Sequence, residues 1–229
     1  MTGTGVRHRP AVVAFDVNET LLDLAPVSAQ LVELGLPGDL LPTVFARTLA
    51  TGFAAATTGT WCRFRTAFDS ALAQTLDLGA AERAQVADAF GELSPHPDVE
   101  PALRLLMQAG VRVVTLTHGA PGIAEAGLAR GGITPLVEQC LTSEVIRAWK
   151  PAPQVYLWAA GVCGVAPEQL ALAAVHAWDV HGAQRAGLTG AWCARLEGRL
   201  GDVFDPPHVT GTDLVTTVEA LLALPPAPA

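Results

Sequence analysis

Ala11-Val12-Val13-Ala14-Phe15-Asp16 is a continuous apolar run closed by an acid, and Val17-Asn18-Glu19-Thr20-Leu21-Leu22 follows it directly. A short unbroken apolar run is the pattern of a strand buried on both faces, as in a parallel sheet, and its last residue emerges at the strand's carboxyl end. Asp16 is therefore expected at the edge of a core, where a carboxylate does chemistry or is paired.

Downstream of this strand, from Leu24 to about Pro97, apolar residues recur at three- and four-residue spacing through Val27–Leu34, Leu40–Phe53, Phe64–Leu76 and Ala81–Phe90, with glycines at 35, 38, 59 and 79 between them. This predicts an inserted all-helical unit. After Ser94-Pro95-His96-Pro97 the pattern becomes a strand–helix alternation. A helix is expected over Val99–Ala109, a buried strand over Val111–Thr117 and a helix near Gly122–Ala129. Beyond these come a short strand at Cys140, a helix over Pro153–Gly161, strands at Leu170–Val175 and Thr189–Cys193 around a helix at Asp179–Gly187, and a last helix over Asp213–Leu224. Alternating strands and helices specify an α/β fold: a Rossmann-like, doubly wound parallel sheet covered on both faces. The expected organisation is a core made of residues 1–23 and 97–224, a helical cap of residues 24–96, and a disordered Pro-rich tail over 225–229.

The 229 residues are half apolar, enough for one sizeable core and a smaller appended module. A formal charge of −8 without a basic cluster argues against nucleic acid or an anionic membrane surface as a partner. The N-terminal segment has neither the apolar length of a signal peptide nor that of a membrane span. Cys62, Cys140, Cys163 and Cys193 are widely separated, with no CxxC pair, and read as reduced, mostly buried thiols of a cytoplasmic protein.

Ligands of open parallel sheets sit outside the carboxyl ends of the strands. Four strand ends here carry polar residues: Asp16, Thr117-His118-Gly119, Lys150 in the loop after the third strand, and His176 to Asp179. The chain has a single Lys (Lys150), a single Asn (Asn18) and a single Tyr (Tyr156), all in or beside these loops. In a chain that otherwise uses Arg for its basic residues, Lys150 marks a place needing a compact ammonium.

Asp16-Val17-Asn18-Glu19-Thr20 resembles the first motif of the haloacid dehalogenase-like superfamily, in which a strand-end Asp attacks and a Thr four residues on supports it. Thr117 matches the second motif and Lys150-Pro151 the third. Ala177-Trp178-Asp179 resembles the fourth as the 2-haloacid dehalogenase branch carries it, and Lys150-Pro151-Ala152-Pro153-Gln154-Val155-Tyr156 also looks like that branch. The phosphatases of the superfamily surround Mg²⁺ with several acids. Here Asn18 stands at one of those positions, and Ala174, Val175 and His176 precede Asp179. The resemblance thus implies a hydrolase that needs no metal or other cofactor.

For that branch the implied reaction is attack by Asp16 on C2 of a short 2-haloalkanoic acid, giving an aspartyl ester that water hydrolyses to the 2-hydroxy acid. Lys150 would keep Asp16 ionised and neutralise the later oxyanion. Thr20 would hydrogen-bond Asp16, and Asp179 would orient Lys150 or position the water. The backbone of Thr117, His118 and Gly119 would hold the substrate carboxylate, with Asn18, Tyr156 and Trp178 as further contacts or packing residues. His176 would be either the base for the hydrolytic water or a neutral pocket filler. The branch takes its halide-binding arginine from the cap, for which Arg47 is the candidate and Arg63 and Arg65 the alternatives. Phe45, Phe53, Trp61 and Phe64 would form an apolar wall or simply cap core. Glu19 lies off the superfamily's metal positions and is given a solvated or helix-capping role. A Mg²⁺-dependent phosphatase and a catalytically altered binding protein on the same scaffold stay open as alternatives, as does a homodimer.

Overall fold

The computed structural model describes residues 7–120 and 122–227. Its centre is a six-stranded parallel sheet in the order β5-β4-β1-β6-β7-β8, with β1 Val12–Phe15, β4 Arg112–Thr117, β5 Gln139–Thr142, β6 Leu170–Ala174, β7 Thr189–Cys193 and β8 Val209–Gly211. β1 lies between β4 and β6, with Val13 level with Val113 and Ala171. The chain runs outward from β1 to β4 and β5, then restarts on the other side with β6. The carboxyl end of β1 is therefore the point where strand order reverses and the flanking loops diverge to leave a crevice.

Both faces of β1 are buried, and its side chains alternate between two cores. Val13 and Phe15 pack with Val99, Leu103, Leu106, Leu214 and Val218, while Val12 and Ala14 pack with Val155, Ala159, Val180 and Ala183. The first core gathers α5 (Val99–Gln108) and α9 (Leu214–Leu222), and the second α7 (Pro153–Cys163) and α8 (Ala177–Arg185). In a sheet sandwiched in this way an unpaired buried polar group is costly, and the strand ends are where polar side chains gather.

Between β2 (Leu22–Asp23) and β3 (Ser94–Pro95), an antiparallel ribbon, the chain forms four helices: α1 Ala25–Glu33, α2 Leu41–Thr57, α3 Phe64–Thr75 and α4 Ala80–Asp88. The ribbon, β8 and several single 3₁₀ turns escape the periodicity argument because each is too short to carry a period. α6 (Ile123–Arg130) falls where expected. α2 approaches the core at Gly52, where a Cβ would run into the Trp149 ring beside Lys150.

Pro225 and Pro226, in the tail expected to be disordered, accept hydrogen bonds from Arg9 N–H at 2.8 Å and His8 Nδ1 at 2.9 Å, while the last two residues lie outside those described. Cys163 and Cys193 are buried, but Cys62 and Cys140 only partly so, and all four are free thiols. No helix among the described residues is long and apolar enough to cross a membrane.

Candidate active site

β1 delivers Asp16 into the crevice with 6% of its surface exposed. Its two oxygens are bound differently. Oδ1 accepts from Lys150 Nζ at 2.8 Å. Oδ2 accepts from Thr20 Oγ1 at 2.8 Å and lies 3.3 Å from His176 Nδ1. Thr20, fully buried, is fixed in turn by the Val175 N–H at 3.1 Å, which ties the loop after β1 to the end of β6.

Lys150 is 0% exposed and spends all three ammonium protons, on Asp16, on Asp179 Oδ2 at 2.5 Å and on the Leu116 carbonyl at 3.1 Å. Three fixed acceptors around a compact head explain why an ammonium stands here in a chain that uses Arg elsewhere. Burial alone would raise the Asp16 pKa, but the Lys150 charge and the His176 hydrogen bond outweigh it and hold the carboxyl far below its ordinary range. Asp179 goes the other way: its complete burial prevails over Lys150, and its pKa is raised.

Tyr156 does not line the cavity at the mouth of the site. It is fully buried beneath the site and donates to Asp179 Oδ1 at 2.6 Å, so it orients the acid that orients Lys150. Gly182 on α8 makes room for this arrangement, since a Cβ there would press on Pro151 and on the Tyr156 hydroxyl.

The small cavity above Asp16, about 10 Å³, is lined by Asn18, Phe45, Leu49, Phe64, Thr117, His118, His176 and Trp178. Burial and the Lys150 charge lower the His118 pKa well below its usual value, so the ring is neutral. Its Nδ1 lies 3.3 Å from Ser143 Oγ, while its Nε2 is buried without a partner, as is Asn18 Oδ1. Buried polar atoms left unpaired in a cavity mark the place where a polar ligand would complete them. The expected backbone cradle is smaller than anticipated, because the Gly119 N–H already donates to Thr117 Oγ1 at 2.9 Å.

Arg47 does not reach this cavity. It lies on the outer face of α2, exposed, donating to Gln74 at 3.3 Å. The residues that α2 turns inward are Phe45 and Leu49, two positions to either side of Arg47, which on a helix is about half a turn away. The alternatives fare no better: Arg63 lies 3.8 Å from Glu144, and Arg65 pairs with Asp88 at 2.8 Å. Phe45 and Phe64 line the cavity, Phe53 packs on Trp178 with ring centroids 5.1 Å apart, and Trp61 instead receives Arg147. Sequence reading overlooked Trp149, whose indole donates to the Cys62 carbonyl at 2.8 Å and lies 4.4 Å from the His118 ring.

Glu19 is not the solvated or helix-capping residue expected. Its carboxylate lies 2.9 Å from His176 Nε2, so His176 has a carboxylate at each ring nitrogen. A neutral imidazole carries one N–H, and two acceptor-only partners require both nitrogens to be protonated. Burial opposes that charge, but the hydrogen bonds and charges of Asp16 and Glu19 prevail and push the pKa up to about 10. In the resting site His176 is a cation, neither the near-neutral base nor the neutral filler expected. Chemical pairing was the available signal, because an acid and a histidine occupy loops at adjacent strand ends.

The same arrangement decides the metal question. The superfamily's Mg²⁺ would need acids around Asp16, but the residue two positions on is the neutral Asn18, and both Asp16 oxygens are already engaged by an ammonium, an imidazolium and a hydroxyl. This donor set does not fit a divalent cation.

The fold and site together define a class: an α/β protein with a buried carboxylate paired with lysine at the switch point of a parallel sheet. The model of haloacid dehalogenase-like hydrolases matches residues 10–187, and the chain belongs to that family. It is 26% identical over 220 residues to an (S)-2-haloacid dehalogenase of Pseudomonas sp. (strain YL), covering 93% of each chain. It is 30% identical over 192 residues to an (S)-2-haloacid dehalogenase of Xanthobacter autotrophicus, covering 80% of this chain and 75% of that one. The solved L-2-haloacid dehalogenase of Xanthobacter autotrophicus has the same fold, with a TM-score of 0.84 at 24% identity over 94% of this chain and 99% of that one.

Proposed function

We propose that this protein is a cofactor-independent hydrolytic dehalogenase of short 2-haloalkanoic acids. The observation that carries the reading is the compensation of Asp16 by two buried organic cations, Lys150 and His176, under an apolar wall. An ionised carboxylate shielded from water is a competent nucleophile toward carbon. A phosphate dianion would meet that carboxylate without the metal that normally screens it. The names of the relatives support the same substrate class.

Asp16 attacks C2 and expels halide, and water then hydrolyses the resulting ester at the Asp16 carbonyl carbon. Lys150 keeps Asp16 ionised before attack and neutralises charge on its oxygens during hydrolysis. Thr20 fixes the carboxylate plane, and Asp179, held by Tyr156, fixes Lys150. His118 Nε2, unpaired in the cavity, donates to the substrate carboxylate while Nδ1 faces Ser143, and Asn18, Thr117 and Trp178 close the pocket. The helices of residues 24–96 act as the cap, contributing Phe45, Leu49 and Phe64 rather than an arginine. Halide stabilisation therefore falls to groups of the sheet's mouth.

The test is halide release from chloroacetate and L-2-chloropropionate beside a panel of phosphate monoesters, each with Mg²⁺ and with EDTA. Halide release indifferent to EDTA is expected. Phosphate-ester turnover abolished by EDTA would refute the reading, and inertness toward both would leave the scaffold as a binding protein.

A further inference from the structure

Glu19 stands at a boundary between two cavities. On one side its carboxylate meets His176 Nε2 at 2.9 Å, and on the other it lines a solvent-open cavity of about 550 Å³ with Asp23, Asp39, His96 and Arg195. Its backbone is left-handed, φ 63°, a conformation uncommon outside glycine. Arg195 secures it by donating to the Glu19 and Thr20 carbonyls at 2.9 and 2.7 Å while pairing with Asp98. The loop is thus built to aim one carboxylate at one imidazole.

The groups that face His176 come from three directions. Asp16 and Glu19 approach from the loop after β1, and the Phe45 ring of α2 stacks on it at 6.0 Å. Trp178 of α8 lies 5.5 Å away. The neighbouring charged group is Lys150, bound to the other oxygen of Asp16, and neutral His118 lies across the cavity. Among the described residues only Asp16 and Glu19 hydrogen-bond the ring.

The two Asp16 oxygens are therefore unequal. Oδ1 carries one donor and Oδ2 has two, and a carboxylate oxygen with fewer donors is the better nucleophile. We propose that Oδ1 attacks, and that His176, held protonated by Glu19, forms with Thr20 an oxyanion hole on Oδ2 for hydrolysis of the ester. This rests on the dehalogenase reading. It makes His176 a catalytic cation rather than a base, and Glu19 its positioning residue.

In the first step the Oδ1–C2 bond forms and the C2–halogen bond breaks, its electron pair leaving on the halide. Oδ2 becomes the ester carbonyl, still facing the Thr20 hydroxyl and His176 Nδ1. Asp16 has lost its charge, and Glu19 is what keeps the imidazolium protonated through this stage. In the second step water adds to the Asp16 carbonyl carbon and the carbonyl pair moves onto Oδ2, where the two donors stabilise it. As that pair returns, the bond from the carbonyl carbon to Oδ1 breaks. The departing oxygen takes one proton of the water and leaves as the hydroxyl of the 2-hydroxy acid. The second proton is released when Asp16 reionises, so haloacid and water give hydroxy acid, halide and one proton.

The test separates the two steps in the full-length enzyme with L-2-chloropropionate. Halide release is followed in the first turnover and in the steady state, and the covalent ester is detected by intact mass. His176→Gln should keep a halide burst approaching one per active site while hydrolysis falls by about 10²–10³-fold, the scale of a lost oxyanion donor, so that ester accumulates. Glu19→Gln should accumulate ester more mildly, and its hydrolysis rate should fall with rising pH at values where the wild type is still flat, because its imidazolium deprotonates earlier. Glu19→Asp should restore part of the wild-type profile. Hydrolysis that quickens with pH in Glu19→Gln would mean a base and overturn the proposal, as would wild-type hydrolysis in both variants or equal slowing of both steps without ester. A wild-type enzyme that releases no halide at all overturns the dehalogenase reading itself, and the proposal with it.

Discussion

Replacing Lys150 by Met removes the ammonium while keeping an unbranched side chain of similar length in a site that is 0% exposed. Three hydrogen bonds disappear, and the most exposed consequence is electrostatic, because Asp179 is left 0% exposed with only Tyr156 as a side-chain partner. Unit charges about 3 Å apart interact by roughly 5 kcal/mol at an effective dielectric constant of 20. Breaking a buried pair from one side typically costs about 3–5 kcal/mol. For a chain of this size that corresponds to a melting temperature lower by roughly 10 °C at neutral pH.

The pH dependence gives the sharper check. The Asp179 pKa is already raised in the wild type, and without Lys150 it rises further. A carboxyl whose folded pKa lies above its unfolded value of 3.8 stabilises the fold below that pH and loses the contribution as pH rises. The gap between wild type and variant should therefore be small near pH 4 and widen toward pH 7, as read from urea midpoints at each pH. A variant within about 1 kcal/mol of wild type at pH 7, or a gap independent of pH, would refute the assignment of Lys150 as the buried counter-ion. Lys150→Arg keeps the charge but not the fit, and its activity should fall at least ~10²-fold.

His176 supplies a second linkage of the same sign at higher pH. Its folded pKa, about 10, lies above the usual 6.5, so its contribution is complete below pH 6.5 and is lost as pH rises toward 10. Urea midpoints of the wild type should decline over that window, and those of His176→Asn should decline much less. Asp16→Asn should abolish halide release with the fold retained, because it removes the nucleophile at almost constant volume. Substantial halide release by a sequence-verified variant would rule out the aspartyl route. Arg47→Ala should leave kcat and KM within about twofold of wild type, since this exposed side chain reaches only Gln74. A large loss of halide-release rate would restore Arg47 to the site.

The alternation of strands and helices was legible because buried parallel strands are unbroken apolar runs and amphipathic helices repeat every three or four residues. Both patterns are local. Asp16 and Thr117 were legible as strand-end residues for the same reason, whereas Lys150 was legible as the single Lys of the chain and Asp179 through the resemblance of Ala177-Trp178-Asp179 to a known motif. The two-residue ribbon at Leu22–Asp23 and Ser94–Pro95 was not, because pairing across some seventy residues leaves no periodic trace. Arg47 failed for a rotational reason. A helix turns about 100° per residue, so a register uncertain by two residues places a side chain on the wrong face.

The sequence by itself determined the class of fold, the strand that carries Asp16 and the need for a compact cation at Lys150, each through local pattern or residue chemistry. The tertiary structure decided what Asp16 faces. It placed Phe45 and Leu49 on the cavity where a cap arginine was expected, Tyr156 behind Asp179, and His176 between the carboxylates of Asp16 and Glu19. Those outcomes depend on distances of a few ångströms between segments that lie apart in the chain, His176 being 160 residues from Asp16 and 157 from Glu19. The protonation state of an imidazole follows from such distances, because burial and paired charge act in opposite directions and only the geometry determines which prevails.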